Sequence, residues 1–155
     1  MTLLTEWELR PLAGAGPIQF DMSYEQVVAR IGAPSQPLST LWGSDSQRAG
    51  WAEGTLAIHF AHTLARIEYI EFSGGGSLRP LLTGWCPFER QADEVVAALT
   101  ASGWSFDADD PEVGYSYIFK AQQLSLWRPA MPEGPGDDVG LFFAAVGVGR
   151  SGYYG

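Results

Sequence analysis

Residues 20–34 read FDMSYEQVVARIGAP and carry both a start and a stop signal for one short helix. Ser23 and Gln26 are three residues apart, the spacing at which two polar side chains cap each other's backbone N–H groups. Gly32 tolerates the backbone of a helix end, and Pro34 prevents continuation. Apolar residues recur at spacings of three and four and predict one buried face, formed by Tyr24, Val27, Val28 and Ile31.

A second helix is predicted from Pro87 to Ser102. Proline suits the first helical turn, and Gly103 supplies a terminating residue at the other end. The helical spacing recurs in Phe88, Ala92, Val95 and Leu99. We expect this stripe to face the core.

In much of the remaining chain, apolar and polar residues alternate instead, which is typical of strands. The predicted strands are 55–60, 66–72, 115–119, 124–128 and 139–148. Residues 61–64 are predicted to close a hairpin between the first two. In the second strand, alternation predicts two faces, one with Ile67, Tyr69 and Glu71 and the other with Glu68, Ile70 and Phe72.

These elements predict an α+β fold, an antiparallel sheet with two helices packed on it, in a single domain spanning residues 1–155. Each helix precedes a run of strands, a pattern typical of two related halves, 16–72 and 78–150. The glycine-rich segment 73–77 is predicted to be a flexible joint between them. The segment 129–138 holds three prolines and two glycines, which predicts a long surface loop.

Composition restricts the partners of such a domain. The chain has 18 acidic and 9 basic residues and a formal net charge of -9, which disfavours nucleic acids and anionic membranes and favours a basic protein partner. No apolar run approaches the ~20 residues that a membrane span needs, and no secretion signal is recognisable at the start. Cys86 is the single cysteine, so we expect a cytoplasmic protein, either a monomer or a weak homodimer.

No familiar catalytic or cofactor motif occurs in the sequence. Cys86 has only His59 and His62 as candidate bases, and no known nucleophile motif surrounds it. The two histidines are three residues apart, which on a strand directs them to opposite faces and disfavours metal binding. The glycine-rich segments lack the flanking strand, helix and lysine of a phosphate site. We expect no catalytic residue, no metal and no cofactor.

Two acidic clusters and several tryptophans are the candidates for a binding surface. Four carboxylates lie within residues 107–112 and three within 133–138. Carboxylates attract a basic partner, and exposed tryptophans often anchor interfaces, although a solvated turn is the alternative interpretation of each cluster. The predicted partner-binding residues are Trp42, Asp45, Trp51, Asp107, Asp109, Asp110, Glu112, Glu133, Asp137 and Asp138.

The stretch from Gly16 to Val27, closed by Ile31-Gly32-Ala33-Pro34, resembles a recurrent bacterial pattern: a short strand, Gly-Met-Ser or Gly-Met-Thr, a helix, and Leu-Gly-x-Pro. The pattern occurs in β-lactamase-inhibitor-like modules and outer-membrane-assembly lipoproteins. It also occurs in small acidic immunity proteins paired with bacterial polymorphic toxins. Because no signal peptide or lipidated cysteine is recognisable near the start, the immunity proteins are the better match.

The resemblance implies a non-enzymatic protein-binding module that neutralises a basic bacterial toxin. Two alternatives stay open. One is a small-ligand-binding domain with an aromatic-lined cavity between helix and sheet. The other is a hydrolase that uses Cys86 with His59 or His62, which requires these side chains to converge in a pocket.

Overall fold

The computed structural model describes residues 5–155 and confirms the α+β class, with two sheets and two α-helices in this range. The helices are α1 (Tyr24–Ile31) and α2 (Ala92–Ala101). The strands are β1 (Glu6–Arg10), β2 (Gly14–Ala15), β3 (Ile18–Gln19), β4 (Gln36–Thr40), β5 (Gln47–Trp51), β6 (Leu56–Phe60), β7 (Ile67–Ser73), β8 (Arg79–Leu81), β9 (Ser116–Phe119), β10 (Leu124–Trp127) and β11 (Ala145–Gly149).

The main sheet has seven strands in the order β4-β5-β6-β7-β11-β10-β9, and all neighbours in it are antiparallel. Two meanders, β4 to β7 and β9 to β11, meet where their last strands pair. Two related halves, each a helix followed by strands, would produce this order if β7 of one half paired with β11 of the other. The duplication of 16–72 and 78–150 stays a prediction.

A smaller sheet, in the order β3-β2-β1-β8, packs on the main sheet. Its strands β1 and β8 are parallel and the others antiparallel. Trp7 of β1 is fully buried, and its ring meets Phe72 of β7 edge to face at 5.7 Å between centroids. The small sheet therefore shares the hydrophobic core of the main sheet.

The core lies between one face of the main sheet and a layer formed by both helices and the small sheet. Burial of each large apolar side chain there contributes about 1.5–3 kcal/mol relative to exposure. The shared cluster includes Val27, Ile31, Val95 and Leu99 of the helices and Ile58, Phe60, Ile70, Phe72, Val146 and Val148 of the sheet. We call this side of the main sheet the inner face and the other the outer face.

Helix α1 begins and ends where the sequence predicts. The Gln26 N–H donates to Ser23 Oγ at 3.2 Å, and the Ser23 N–H donates to Gln26 Oε1 at 2.8 Å, which completes the capping box. Gly32 is the C-cap, with φ of 90°. The predicted helix is therefore confirmed. It could be predicted because the residues that define its ends lie within the helix or next to it.

Helix α2 starts at Ala92, so the predicted start at Pro87 is wrong. Residues 86–89 form a turn in which the Glu89 N–H donates to the Cys86 carbonyl at 3.1 Å. The N-cap residue Gln91 makes no side-chain capping bond, whereas the Ala92 N–H donates to the distant Leu141 carbonyl at 2.8 Å. A long-range contact, absent from any local pattern, thus marks the helix start.

Four predicted strands correspond to β6, β7, β9 and β10, with ends shifted by no more than one residue. The strand predicted over 139–148 starts later, at Ala145, because the loop that precedes it continues through residue 144. There the Ala144 N–H donates to the Trp127 carbonyl at 2.7 Å. Strands β1, β2, β4, β5 and β8 were not predicted.

The predicted faces of β7 are wrong at one residue. The pairing of β6 with β7 shifts in register just after His59, which opposes Tyr69. This bulge reverses the side-chain alternation, so Ile67 joins Ile70 and Phe72 in the core. Tyr69 stays on the outer face.

Candidate functional site

Arg128 follows β10 and joins three segments that are far apart in sequence. Its side chain is 4% exposed. Its Nε donates to the Gly114 carbonyl at 2.7 Å, and its Nη1 donates to the Gly140 carbonyl at 3.0 Å. Its Nη2 lies 3.4 Å from Asp93 Oδ1 of α2. One buried guanidinium therefore holds the turn 107–115 and the loop 129–144 together beside α2.

Further contacts fix the turn against the loop. The Arg128 N–H donates to the Tyr115 carbonyl at 2.8 Å. Gly114 has φ of 105°, and a Cβ atom there would lie only 2.6 Å from Met131 Sδ of the loop. Since any larger residue would be both strained and crowded, Gly114 permits the close approach.

Large apolar side chains are exposed on these two segments and at the end of β10. They are Tyr115 (39% exposed), Trp127 (46%), Met131 (38%), Val139 (63%) and Phe142 (44%). Exposed aromatic and apolar groups rimmed by charge are typical of interaction sites. We call the turn 107–115, the loop 129–142 and Trp127 together the acidic-aromatic surface.

Three acidic residues of this surface shape its backbone. Asp107 Oδ1 accepts from the Asp109 N–H at 3.1 Å, and Asp110 Oδ1 accepts from the Glu112 N–H at 2.9 Å. Asp137 accepts from two backbone N–H groups, that of Glu133 at 2.8 Å and that of Val139 at 3.0 Å. These two N–H groups lower the pKa of the Asp137 carboxyl.

The other four acids leave their carboxylates available. Within residues 5–155, no side-chain hydrogen bond or ion pair engages the carboxylates of Asp109, Glu112, Glu133 and Asp138. The nearby cations are already engaged, since Lys120 Nζ lies 3.4 Å from Asp107 and Arg128 pairs with Asp93. The surface therefore presents uncompensated negative charge beside exposed rings.

The structure separates the predicted partner-binding residues into groups. Arg128 bonds Gly114 and Gly140 and so joins the two segments that carry the acids of 107–112 and 133–138. Trp42 and Asp45 lie instead in the turn between β4 and β5. Edges β4 and β9 are six strand spacings apart, about 29 Å along the sheet. Trp42 and Asp45 are thus remote from the acidic-aromatic surface, although Trp42 is fully exposed.

Trp51 is a correction to the predicted set. It is 2% exposed, belongs to the core, and its Nε1 donates to the Gly32 carbonyl at 2.9 Å. It ends β5 on the inner face and caps the end of α1, which is a structural role.

Sequence reasoning missed the apolar part of the surface, namely Tyr115, Trp127, Met131, Val139 and Phe142. Val139 and Phe142 were assigned to a predicted strand and Tyr115 to another, where apolar residues are expected to be buried. A usable signal was available for Met131 and Val139, which are apolar residues within or beside a segment rich in proline, glycine and acids.

The outer face of the main sheet carries a separate cluster. Tyr69 crosses β11 to reach Ser125, with 2.7 Å between the two hydroxyl oxygens. Its ring stacks on Tyr153 at 4.8 Å between centroids. A Cβ at Gly147 would lie 1.9 Å from the Tyr69 hydroxyl, so glycine makes room for this crossing.

His59 lies beside Tyr69 on the outer face, with 5.3 Å between ring centroids. Burial, together with the charge of Arg48, lowers the pKa of His59 from 6.5 to about 4. Its Nε2 is buried and has no hydrogen-bond partner within residues 5–155. Burial raises the pKa of Glu71 nearby, while Arg48 opposes that shift. The imidazole is thus half-buried, and its lowered pKa favours the neutral form.

Cys86 has different surroundings from either histidine. It is buried, which raises the pKa of its thiol, and it borders a cavity of about 280 Å³. Among described residues, no histidine lines that cavity, and its polar side chains are Arg79 and Glu89, which pair with each other. Since His59 lies on the outer face and His62 in the β6–β7 turn, the convergence that a hydrolase requires is not observed.

A cavity of about 470 Å³ lies between the β4–β5 and β6–β7 turns and is open to solvent. Its polar lining includes Asp45, His62 and Arg66. It is not the aromatic-lined cavity between helix and sheet that a small-ligand domain would need. Within residues 5–155, no three His, Cys, Asp or Glu side chains are grouped in a way that could hold a metal ion.

Comparison with known proteins finds no matching family model, no matching curated protein and no matching solved structure. In the part of the chain that the structure describes, neither helix has the length and apolar character of a membrane span. The acidic-aromatic surface is the feature of these residues that most resembles a binding site.

Proposed function

We propose that this chain is a protein-binding module that captures a basic protein partner through the acidic-aromatic surface. The observation that carries the proposal is the buried Arg128, which fixes the turn and the loop in one arrangement before any partner arrives. A preorganised surface loses less entropy on binding, so more of the contact energy appears as affinity.

Charge and apolar groups would contribute to different steps of binding. The unpaired carboxylates of Asp109, Glu112, Glu133 and Asp138 accelerate encounter with a positively charged partner. The exposed rings of Tyr115, Trp127 and Phe142 supply desolvated contacts of the type that slow dissociation. Association is therefore expected to slow with added salt, and dissociation to respond to ring substitutions.

The partner that we propose is a basic bacterial toxin, and the chain would act as its immunity protein. The resemblance carried by residues 16–34 and the net charge of -9 support this proposal. A negative, aromatic surface is suited to cover the basic active site of a nuclease or a similar toxin and to exclude its substrate.

The test is a calorimetric titration of the chain with the protein encoded by the neighbouring gene, supported by size-exclusion chromatography. We expect a complex whose affinity falls by about tenfold or more in a Glu112→Gln, Asp138→Asn double variant. The matched control is Asp21→Asn with Glu25→Gln, which removes two exposed acids at the start of α1 and should leave the affinity unchanged. The absence of a complex at micromolar concentration would contradict the proposal, as would equal losses in both variants.

A further inference from the structure

We infer that the cavity between the β4–β5 and β6–β7 turns is a site for a small zwitterion, a molecule with both an ammonium and a carboxylate group, such as a dipeptide with free ends. Asp45 binds the ammonium group and Arg66 binds the carboxylate group. The site is separate from the acidic-aromatic surface, and the inference does not depend on the function proposed above.

The pairing of β5 with β6 brings the two turns to the same end of the main sheet, where Gln47 opposes Phe60. The cavity between the turns has a volume of about 470 Å³. This volume lies in the range of about 300–1,000 Å³ that is usual for small-ligand sites. Asp45 of the first turn and Arg66 of the second both line the cavity.

The Asp45 carboxylate is available to a ligand. Within residues 5–155, it takes part in no hydrogen bond or ion pair. In particular, it does not pair with Arg66, although both side chains border the cavity. The hydroxyls of Ser46 and Thr63, which also line the cavity, form no side-chain hydrogen bond in the described part of the chain. An ammonium group would therefore find a carboxylate and further acceptors here.

The Arg66 guanidinium is available because the nearest carboxylate is already engaged. Its Nη2 lies 3.8 Å from Glu68 Oε1, which is too long for a hydrogen bond. The other carboxylate oxygen of Glu68 forms an ion pair with Arg150 Nε. Because the Arg66 side chain is 55% exposed, its guanidinium is accessible to a ligand and can donate two parallel hydrogen bonds to a carboxylate.

The balance of charge in the cavity favours a zwitterion over a simple ion. Glu68 lines the cavity but is compensated by Arg150. With His62 counted as neutral, Asp45 and Arg66 give the lining one further charge of each sign. The net charge of -9 disfavours a simple anion, and Arg66 disfavours a simple cation. A zwitterion is neutral overall and gains from both side chains.

The experiment is a titration of the full chain at pH 7, followed by ¹H–¹⁵N NMR, with three ligands. Dialanine carries both charges, N-acetyl-dialanine carries the carboxylate alone, and dialanine amide carries the ammonium alone. We expect dialanine to shift the backbone amides of residues 44–46 and 61–66 with a Kd of about 1–10 mM, as its small size permits. Its affinity should exceed that of either analogue about three- to fivefold, the effect of one exposed ion pair.

Substitutions assign each charge to its partner. Asp45→Asn should remove the preference for dialanine over N-acetyl-dialanine, and Arg66→Gln should remove the preference over dialanine amide. Both side chains are exposed, so both variants should fold, which circular dichroism checks. Glu25→Gln is the matched control, because it removes an exposed acid of α1 that does not line the cavity, and it should retain both preferences.

The absence of saturable shifts at residues 44–46 and 61–66 would overturn the inference. Equal affinity for the three ligands would also overturn it, as would preferences that persist in both variants. These outcomes are independent of the proposed function, which is measured separately with the protein partner.

Discussion

The region from α1 to β7 and the region from α2 to β11 each consist of one α-helix followed by antiparallel strands, but they are held together in different ways. In the first region, α1 is capped by its own side chains, and β5, β6 and β7 follow one another through short turns. In the second, α2 has no side-chain cap, and two long segments precede and follow β9 and β10. The first region is determined mainly by local contacts, and the second by contacts between distant residues.

This difference explains where a binding surface can form. Short turns leave few residues outside the sheet, whereas residues 102–115 and 128–144 are long enough to display side chains. Long segments are costly to order, and Arg128 offsets that cost with bonds to both. The second region thus gains an ordered surface but depends on one side chain.

Replacement of Arg128 is expected to change the free energy of unfolding more than any other substitution proposed for the two regions. Arg128→Met would leave the Gly114 and Gly140 carbonyls without their donor, with a loss of about 3–5 kcal/mol in the free energy of unfolding. Urea denaturation measures this loss. Arg66→Met, which removes an exposed arginine of the first region, should cost less than about 0.5 kcal/mol. If both variants lose similar amounts, the second region does not depend on Arg128.

Low pH should reduce the stability of the first region through protonation of His59. The pKa of His59 is 6.5 in the unfolded chain and about 4 in the folded one, so between these values the unfolded state binds more protons. Stability is therefore full above pH 6.5 and decreases as the pH falls toward 4, by about 2–3 kcal/mol after allowance for partial exposure of the ring.

Unfolding measured across this pH range in wild type and in His59→Gln isolates the effect from the opposite contribution of Glu71, whose pKa is raised. The variant should lose most of the acid dependence. His62→Gln, in the exposed β6–β7 turn, is the control and should retain it. Parallel curves for wild type and His59→Gln would refute the assignment.

Substitutions at the N-terminal ends of α1 and α2 compare the two regions directly, with a smaller expected change in stability. Ser23→Ala removes the hydroxyl that accepts from Gln26 and should cost about 1 kcal/mol. Gln91→Ala at the start of α2 removes no capping bond and should cost less than about 0.3 kcal/mol. Thermal denaturation of both variants checks this, and equal costs would show that side-chain capping does not distinguish the helices.

Substitution of the unpaired acids should also change the stability little. Glu112→Gln with Asp138→Asn should change the free energy of unfolding by no more than about 0.5 kcal/mol, because these carboxylates hold nothing in the fold. Asp137→Asn should cost more, since its carboxylate accepts from two backbone N–H groups. Chemical denaturation ranks the two variants, and the reverse order would show that the division between structural and available acids is wrong.

The same contrast explains how much could be predicted from the sequence. Ser23, Gln26 and Gly32 define α1 without help from distant residues, so both its ends are correct. The start of α2 is set by Leu141, and the start of β11 by the bond from Ala144 to Trp127, which local spacing does not report. Among the candidate site residues, the acidic clusters were predicted from composition, and their role in binding stays a prediction.

Other parts of the site required tertiary information. Trp51 was predicted to bind a partner because exposed tryptophans often anchor interfaces, yet it is buried where β5 packs against α1. Tyr115 and Phe142 are apolar and were assigned to strands, so nothing in their spacing indicated exposure. Arg128 is one of several arginines in the sequence, and only the fold shows that it is buried.

The passage of Tyr69 over Gly147 toward Ser125 links three positions that are distant in sequence. A relative that retains the tyrosine must keep a residue without a side chain at the second position, and one that loses the tyrosine is released from that requirement. The three positions should therefore change together during evolution. Such a coupled triplet offers a criterion for recognising diverged homologues whose overall identity has been lost.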